Sequence, residues 1–164
     1  MKYVLGAKCT RCGAEYEALP TITTCKCGGI LDIQYSYSAI RDHFSPADLE
    51  QTRDWSMWRY RPFLPVEEDS PAPPLRVGWS PLYKADRLAG VLGLKTLYIK
   101  DDGQNPTASL KDRASAMAVV KAREAGADTI ACSSTGNAAS SLAGNAAAAG
   151  LSTYIFVPSR APKG

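Results

Sequence analysis

The sequence predicts an α/β protein in which a small cysteine-bearing β segment precedes part of a larger domain with a parallel sheet. Three observations predict this: two cysteine pairs near the N-terminus, a proline-rich stretch in the middle of the chain, and alternating strand and helix patterns in its last third. Its 164 residues, 45% of them hydrophobic and 21% charged, suit a globular protein with one ordinary core.

Charge and hydropathy argue against two classes of partner. The net charge is +3 and the basic residues are scattered, so the chain lacks the basic patch of a nucleic-acid binder. No apolar run approaches the roughly 20 residues that a membrane helix needs, and the first residues lack the apolar core of a signal peptide. We therefore expect a cytoplasmic protein with neither nucleic acid nor membrane as partner.

Residues 1–37 contain four of the five cysteines, and these predict a metal site: Cys9, Cys12, Cys25 and Cys27. Paired cysteines in a cytosolic chain favour metal over disulfides, and four thiolates bind zinc tetrahedrally with no open position, so the metal is structural. Short strands at residues 14–16 and 30–33 complete a zinc-ribbon-like segment. The second pair has one intervening residue where a ribbon usually has two, so a ribbon that has lost its metal is the alternative.

Residues 38–81 are predicted to form a helix and a connector. Ser45 and Pro46 supply an N-cap and a proline at the first helical position, so a helix is expected over residues 47–58. Its large apolar residues, Trp55, Met57 and Trp58, are expected to pack against the next domain. Six of the 11 prolines fall in residues 61–81, which predicts an extended connector. His43, the only histidine, is assigned no role.

Residues 82–164 show the periodicity of a partial α/β domain. The expected elements are a short helix at 85–89, a strand at 96–100, a helix at 110–125 capped by Ser109, a strand at 129–133, a helix at 138–149 and a strand at 153–157. Strand, helix and strand at this spacing form a right-handed βαβ unit with parallel strands. Cys132, in the first of these strands, is expected to be a small buried apolar residue.

Lys111 and the loop Ser134–Asn137 are the candidates for chemistry. Lys111 lies in the first turn of a predicted helix, where the helix dipole disfavours a cation and so favours a free amine that can form an imine with an aldehyde. The loop precedes the next helix, and amides at a helix N-terminus bind anions. Its spacing matches neither a P-loop nor a dinucleotide fingerprint, so a carboxylate is the expected guest. The alternative for any single lysine is a solvated surface residue.

Three segments carry a resemblance to a known family. Lys100–Arg113, which contains Asn-Pro-Thr-Ala-Ser-Leu-Lys-Asp-Arg, resembles the lysine motif of pyridoxal-phosphate enzymes of the tryptophan-synthase-β type, fold type II. Ser134–Asn137 resembles the substrate-carboxylate loop of that family. Gly78–Leu82 is similar to its early Gly-x-Thr-Pro-Leu motif, with serine in place of threonine. Together with the zinc-ribbon-like segment, the combination most resembles the threonine synthase branch.

The resemblance implies a three-layer αβα domain, pyridoxal 5'-phosphate as cofactor and a lyase reaction. O-phospho-L-homoserine and water would be converted to L-threonine and phosphate, in a full-length enzyme that forms a homodimer. Lys111 would bond covalently to the cofactor and later move protons, and Asn137 would hydrogen-bond to the cofactor ring hydroxyl. Ser134, Thr135, Gly136, Asn137 and the amide of Ala138 would hold the substrate carboxylate. Leu110 departs from the phenylalanine often found before the lysine.

The length implies that the site is incomplete. In the family that the chain resembles, the cofactor-phosphate loop and the partner of the pyridine nitrogen lie beyond residue 164, and only about three sheet strands are predicted here. We therefore expect a fragment or truncated form in which the C-terminal half of the domain is absent and turnover is very low. The alternatives are another fold type II enzyme, such as cysteate synthase or a serine/threonine dehydratase, and a non-catalytic zinc-ribbon protein that binds protein or nucleic acid.

Overall fold

The N-terminal segment is a three-stranded antiparallel sheet in the computed structural model, which describes residues 1–161. Its strands are β1 (Val4–Cys9), β2 (Glu15–Tyr16) and β3 (Leu31–Tyr35), in the order β2-β1-β3. Strands β2 and β3 confirm the two that the sequence predicts, although β1 was not foreseen. A register shift between Val4 and Gly6 explains the omission, because a bulge breaks the alternation by which a strand is recognised.

The connector differs from the sequence prediction. Helix α1 (Tyr37–His43) was not predicted, and α2 (Pro46–Gln51) ends well before residue 58. A separate 3₁₀-helix, Met57–Phe63, follows it. The physical reason is a tertiary contact: the Met57 amide donates to the Val77 carbonyl at 2.8 Å, so it cannot extend α2. The predicted N-terminus of α2 is correct and carries a capping box.

The α/β part follows the predicted order of elements. It comprises β4 (Leu82–Lys84), α3 (Asp86–Val91), β5 (Tyr98–Lys100), a 3₁₀ turn (Asp102–Gln104), α4 (Lys111–Glu124), β6 (Thr129–Ser133), α5 (Asn137–Ala148) and β7 (Ser152–Phe156). Strands β6 and β7 are parallel, which confirms the predicted βαβ unit, whereas β4 was not predicted and pairs antiparallel with β5. Of the terminal loop predicted after β7, residues 162–164 lie outside the described residues.

Helix α4 lies between the two parts of the hydrophobic core. One cluster joins it to the connector and consists of Met57, Trp58, Val66, Val77, Ala116 and Val120. The other joins it to α5 and β6 through Val119, Leu142 and Ala146, with Ile130 and Cys132 packed alongside. The predicted packing of Met57 and Trp58 is therefore confirmed, whereas Cys132 is only partly buried. Trp55 is the exception, because its side chain stays 42% exposed, with its ring 4.8 Å from that of Trp79.

None of the helices in residues 1–161 combines the length and the apolar character that crossing a bilayer requires.

Candidate active site and thiolate cluster

Lys111 is the first residue of α4, and its side chain is exposed. The chain enters the helix through Ala108, whose φ of +56° lies in the left-handed region that alanine rarely adopts. Ser109 does not occupy the cap position, which falls to Leu110, but its Oγ accepts the Lys111 amide at 3.1 Å. The lysine therefore follows a sharp, locally strained turn, a feature that clusters at functional sites.

Asp112 ties the start of α4 to α5. Its carboxylate is fully buried and accepts hydrogen bonds from the Thr107 amide and hydroxyl, each at 2.7 Å. From α5 it accepts the Ser141 hydroxyl at 2.7 Å and the Asn145 side-chain amide at 2.9 Å. The polar residues of α5 thus hold the turn in front of Lys111, which places the helix that begins at Asn137 beside the helix that begins at Lys111.

A second polar network joins the Gly78–Leu82 segment to α4. Arg113 donates to Asp102 through Nη2 at 2.8 Å and Nε at 3.2 Å, and the Ser80 hydroxyl donates to the same carboxylate. The Arg113 guanidinium, followed by the Ser80 hydroxyl, lowers the pKa of Asp102 from 3.8 to about 2. Asn105 Oδ1 accepts the Gly78 amide at 2.9 Å. The segments 78–82 and 100–113, quoted above for their resemblance, therefore meet in space.

The Ser134–Asn137 loop leads from the carboxyl end of β6 into α5. Gly136 is the N-cap of this 12-residue helix, and Asn137 is its first residue, with an exposed side chain. Ser134 Oγ accepts the Gly136 amide at 3.3 Å, which keeps the loop turned toward the helix. The first turn of a helix has amides without intrahelical acceptors, and ligands of α/β folds bind at the carboxyl ends of the strands. The loop is therefore placed as an anion site would be.

The sequence missed the residues that bring these parts together. Ser141 and Asn145 lie in a helix so rich in alanine that they attract no notice, yet both are fully buried. Gly144 is the visible signal of close packing, because a Cβ added there would lie 2.9 Å from Thr107 Cγ2. The small residues of α5 thus allow the turn before Lys111 to approach the helix.

The four N-terminal cysteines converge, with all four Sγ atoms within 4.8 Å of one another. Cys9 Sγ lies 3.6 Å from Cys27 Sγ, and Cys12 Sγ lies 3.6 Å from Cys25 Sγ and 3.5 Å from Cys27 Sγ. A zinc ion bonded to four sulfurs at about 2.3 Å requires sulfur–sulfur separations of about 3.8 Å. The cluster therefore has the dimensions of a tetrahedral metal site.

Backbone and side-chain donors surround the sulfurs. The amides of Arg11 and Cys12 point at Cys9 Sγ at 3.4 and 3.5 Å, as they do in a metal-binding turn. The Tyr16 hydroxyl, 3.1 Å from Cys25 Sγ, lowers the pKa of that thiol to about 6, whereas the hydrogen bond with Cys25 raises the pKa of Cys27 to about 12. Four thiolates this close repel one another, so only a bound cation would ionise all of them near neutral pH.

Known proteins resemble this chain over most of its length. The family model for a pyridoxal-phosphate dependent enzyme matches residues 74–164. A threonine synthase of Methanocaldococcus jannaschii is 40% identical over 151 residues, which are 92% of this chain and 37% of that protein. A threonine synthase of Methanosarcina acetivorans is 45% identical over 92% of this chain and 36% of its own length, and one of Synechocystis is 43% identical over 60% of this chain. The chain thus spans little more than a third of the first two relatives.

Proposed function

Because the chain belongs to the family of pyridoxal-phosphate dependent enzymes, we propose that it is the N-terminal portion of a threonine synthase and that Lys111 carries the cofactor. The reaction is the conversion of O-phospho-L-homoserine and water to L-threonine and phosphate. The observation that carries the proposal is the Asp112 carboxylate, which joins the turn before Lys111 to the helix that begins at Asn137. Two parts of the chain with complementary chemistry, an amine and an anion site, therefore belong to one rigid unit.

The residues present fit this cofactor, which carries an aldehyde and a phosphate. When bound, it supplies an electron sink for carbanion chemistry. Lys111 offers an exposed amine that can bond to the aldehyde and later hold a proton, and Asn137 offers an exposed amide for a ring hydroxyl. The hydroxyls and amides of Ser134, Thr135, Gly136 and Ala138 lie at the N-terminus of α5, where the helix dipole favours a substrate carboxylate. Leu110, 59% exposed, is free to pack on the cofactor.

Turnover requires more of the domain than this chain contains. Tyr154 and Phe156 lie on one face of β7 and are each 62% exposed, whereas a parallel sheet is normally covered on both faces. The relatives are more than twice as long as this chain. We therefore expect little or no turnover by residues 1–164 alone. The division into segments 1–37, 38–81 and 82–164, a cytoplasmic location and a homodimer of the full-length enzyme belong to the same proposal.

The proposal includes a structural zinc ion held by Cys9, Cys12, Cys25 and Cys27. The sulfur separations and the amides directed at Cys9 support it. Two of the four thiols, those of Cys9 and Cys25, are buried, and the four together fill a tetrahedral shell. The metal would therefore stabilise the three-stranded sheet and take no part in the reaction.

Covalent trapping tests the role of Lys111. The chain is incubated with pyridoxal 5'-phosphate, reduced with borohydride and digested, and the modified lysines are located by mass spectrometry. We expect selective modification of Lys111, which Lys111→Ala abolishes. Lys95→Ala, which removes an exposed lysine outside the motif, is the control and should leave the Lys111 modification unchanged. Equal modification of many lysines, or none at Lys111, would contradict the proposal.

A further inference from the structure

Asp112 is a buried carboxylate that has no assigned role in the proposed reaction itself. It touches Thr107 in its own segment and Ser141 and Asn145 in α5, and its exposed fraction is zero. We propose that Asp112 is a positioning residue that fixes the direction of Lys111 relative to the Ser134–Asn137 loop. The catalytic meaning of that positioning rests on the proposed function, whereas the geometric effect does not.

Because Lys111 and Asp112 are neighbours in one helix, the burial of Asp112 fixes the direction in which the Lys111 side chain points. Successive residues of an α-helix point about 100° apart around the axis. With the Asp112 side chain held against α5, Lys111 must therefore project from an adjacent face, and its side chain is in fact exposed. The bond from Ser109 Oγ to the Lys111 amide holds the same turn from the other side. The first turn of α4 consequently has little freedom to rotate.

The partner helix presents one face to this carboxylate. Asn137, Ser141 and Asn145 are spaced by four residues, so they lie along the same face of α5. The two buried members, Ser141 and Asn145, donate hydrogen bonds to Asp112. The exposed member, Asn137, is the first residue of the helix. A single carboxylate thereby sets the start of α4 and the face of α5 that begins with the proposed cofactor-binding asparagine.

An amide cannot replace this carboxylate. The Thr107 backbone nitrogen faces Oδ2, and the Asn145 Nδ2 faces Oδ1, and neither nitrogen can accept a hydrogen bond. In Asp112→Asn, the new NH₂ group therefore confronts a donor in either orientation. Rotating the Asn145 amide offers no escape, because its Nδ2 also donates to the Ser141 carbonyl at 3.0 Å.

The test compares Asp112→Asn with Asp86→Asn. Asp86 is an exposed carboxylate in the first turn of α3, so its substitution removes the same charge from the first turn of a helix. We expect folded Asp112→Asn to show amide exchange at residues 107–112 and 137–141 about tenfold faster or more. We also expect borohydride-trapped pyridoxal phosphate at Lys111, measured relative to Lys95, to fall about tenfold. Asp86→Asn should match the unsubstituted chain in both measurements.

Two further measurements distinguish failure of the proposed function, and failure of the variant to fold, from failure of the proposal for Asp112. If the unsubstituted chain does not trap pyridoxal phosphate at Lys111, the proposed function fails, and acetic anhydride then reports whether Asp112→Asn changes the amine reactivity of Lys111. If Asp112→Asn does not fold, Ser141→Ala, which removes one donor, is judged by the same measurements. Unchanged exchange in either segment, or unchanged reactivity of Lys111 in a folded variant, overturns the proposal.

Discussion

Gly29→Ala should disturb the thiolate cluster and leave the rest of the fold unchanged. Gly29 does not have the positive φ that only glycine adopts readily, so its backbone tolerates alanine. Its neighbours do not, because the added Cβ would lie 2.5 Å from Cys9 Sγ, 3.3 Å from Cys27 Sγ and 3.0 Å from Arg11 Cβ. The sulfur of Cys9 must move, which removes it from the tetrahedral arrangement.

The expected magnitude is the loss of one ligand. Structural zinc binds with an apparent free energy of about 10–16 kcal/mol, or about 2.5–4 kcal/mol for each of four ligands. Displacing Cys9 should therefore weaken zinc binding by about two to three orders of magnitude. Gly28→Ala is the control, because Gly28 has φ +77° and nothing within 4 Å of its added Cβ. It costs about 1–2 kcal/mol of backbone strain without touching a sulfur.

Competition with a chromophoric chelator measures the zinc affinity of both variants, and cobalt substitution reports the ligand set through thiolate charge-transfer absorption. We expect Gly29→Ala to lose affinity and the four-sulfur cobalt spectrum, and Gly28→Ala to keep that spectrum. Equal zinc affinity in Gly29→Ala and the unsubstituted chain, with four sulfurs still bound, would refute the argument that Cys9 is a ligand in this geometry.

Two further substitutions test the network around Arg113. The pKa of Asp102 falls from 3.8 to about 2 on folding, so its stabilisation, at most about 2.5 kcal/mol before solvent screening, is present above pH 4 and lost as pH falls toward 2. Urea unfolding should show a smaller loss of stability over that pH interval in Asp102→Asn, and an unchanged loss would be evidence against the ion pair. Gly78→Ala places a Cβ 2.9 Å from both the Met57 amide and Arg113 Nη1 at φ +85°, so we expect about 2–4 kcal/mol of destabilisation. Gly126→Ala, with φ +71° and nothing within 4 Å, should cost less, and equal losses would contradict the steric argument.

The βαβ unit could be predicted because its signals are local. Helices α4 and α5 end where Gly126 and Gly150 adopt positive φ, and the strand between them is a short apolar run. The predicted C-terminal end of the helix over residues 47–58 was wrong for a reason that is not local. A residue 20 positions away, Val77, accepts the Met57 amide and draws residue 57 out of the helical pattern.

The candidate site shows the same division between local and distant information. Lys111 and the loop before α5 stand out because of the helix starts that they occupy. Their connection depends on Asp112 meeting Ser141 and Asn145, which lie 29 and 33 residues further along the chain. A serine and an asparagine in a helix are ordinary surface residues until the fold buries them, so no pattern within a single segment marks them.

Helix α4 explains why these separate features form one unit. Its first turn carries Lys111 and is held by α5, its middle packs on the connector through Ala116 and Val120, and its last turn reaches the N-terminal segment. In this last turn, Glu124 accepts the amide of Glu67, a connector residue, at 2.8 Å, and Lys121 contacts Met1, the first residue of the chain. Fourteen residues of helix span about 21 Å, so the contacts with Met1 and Glu67 lie at the opposite end of α4 from Lys111.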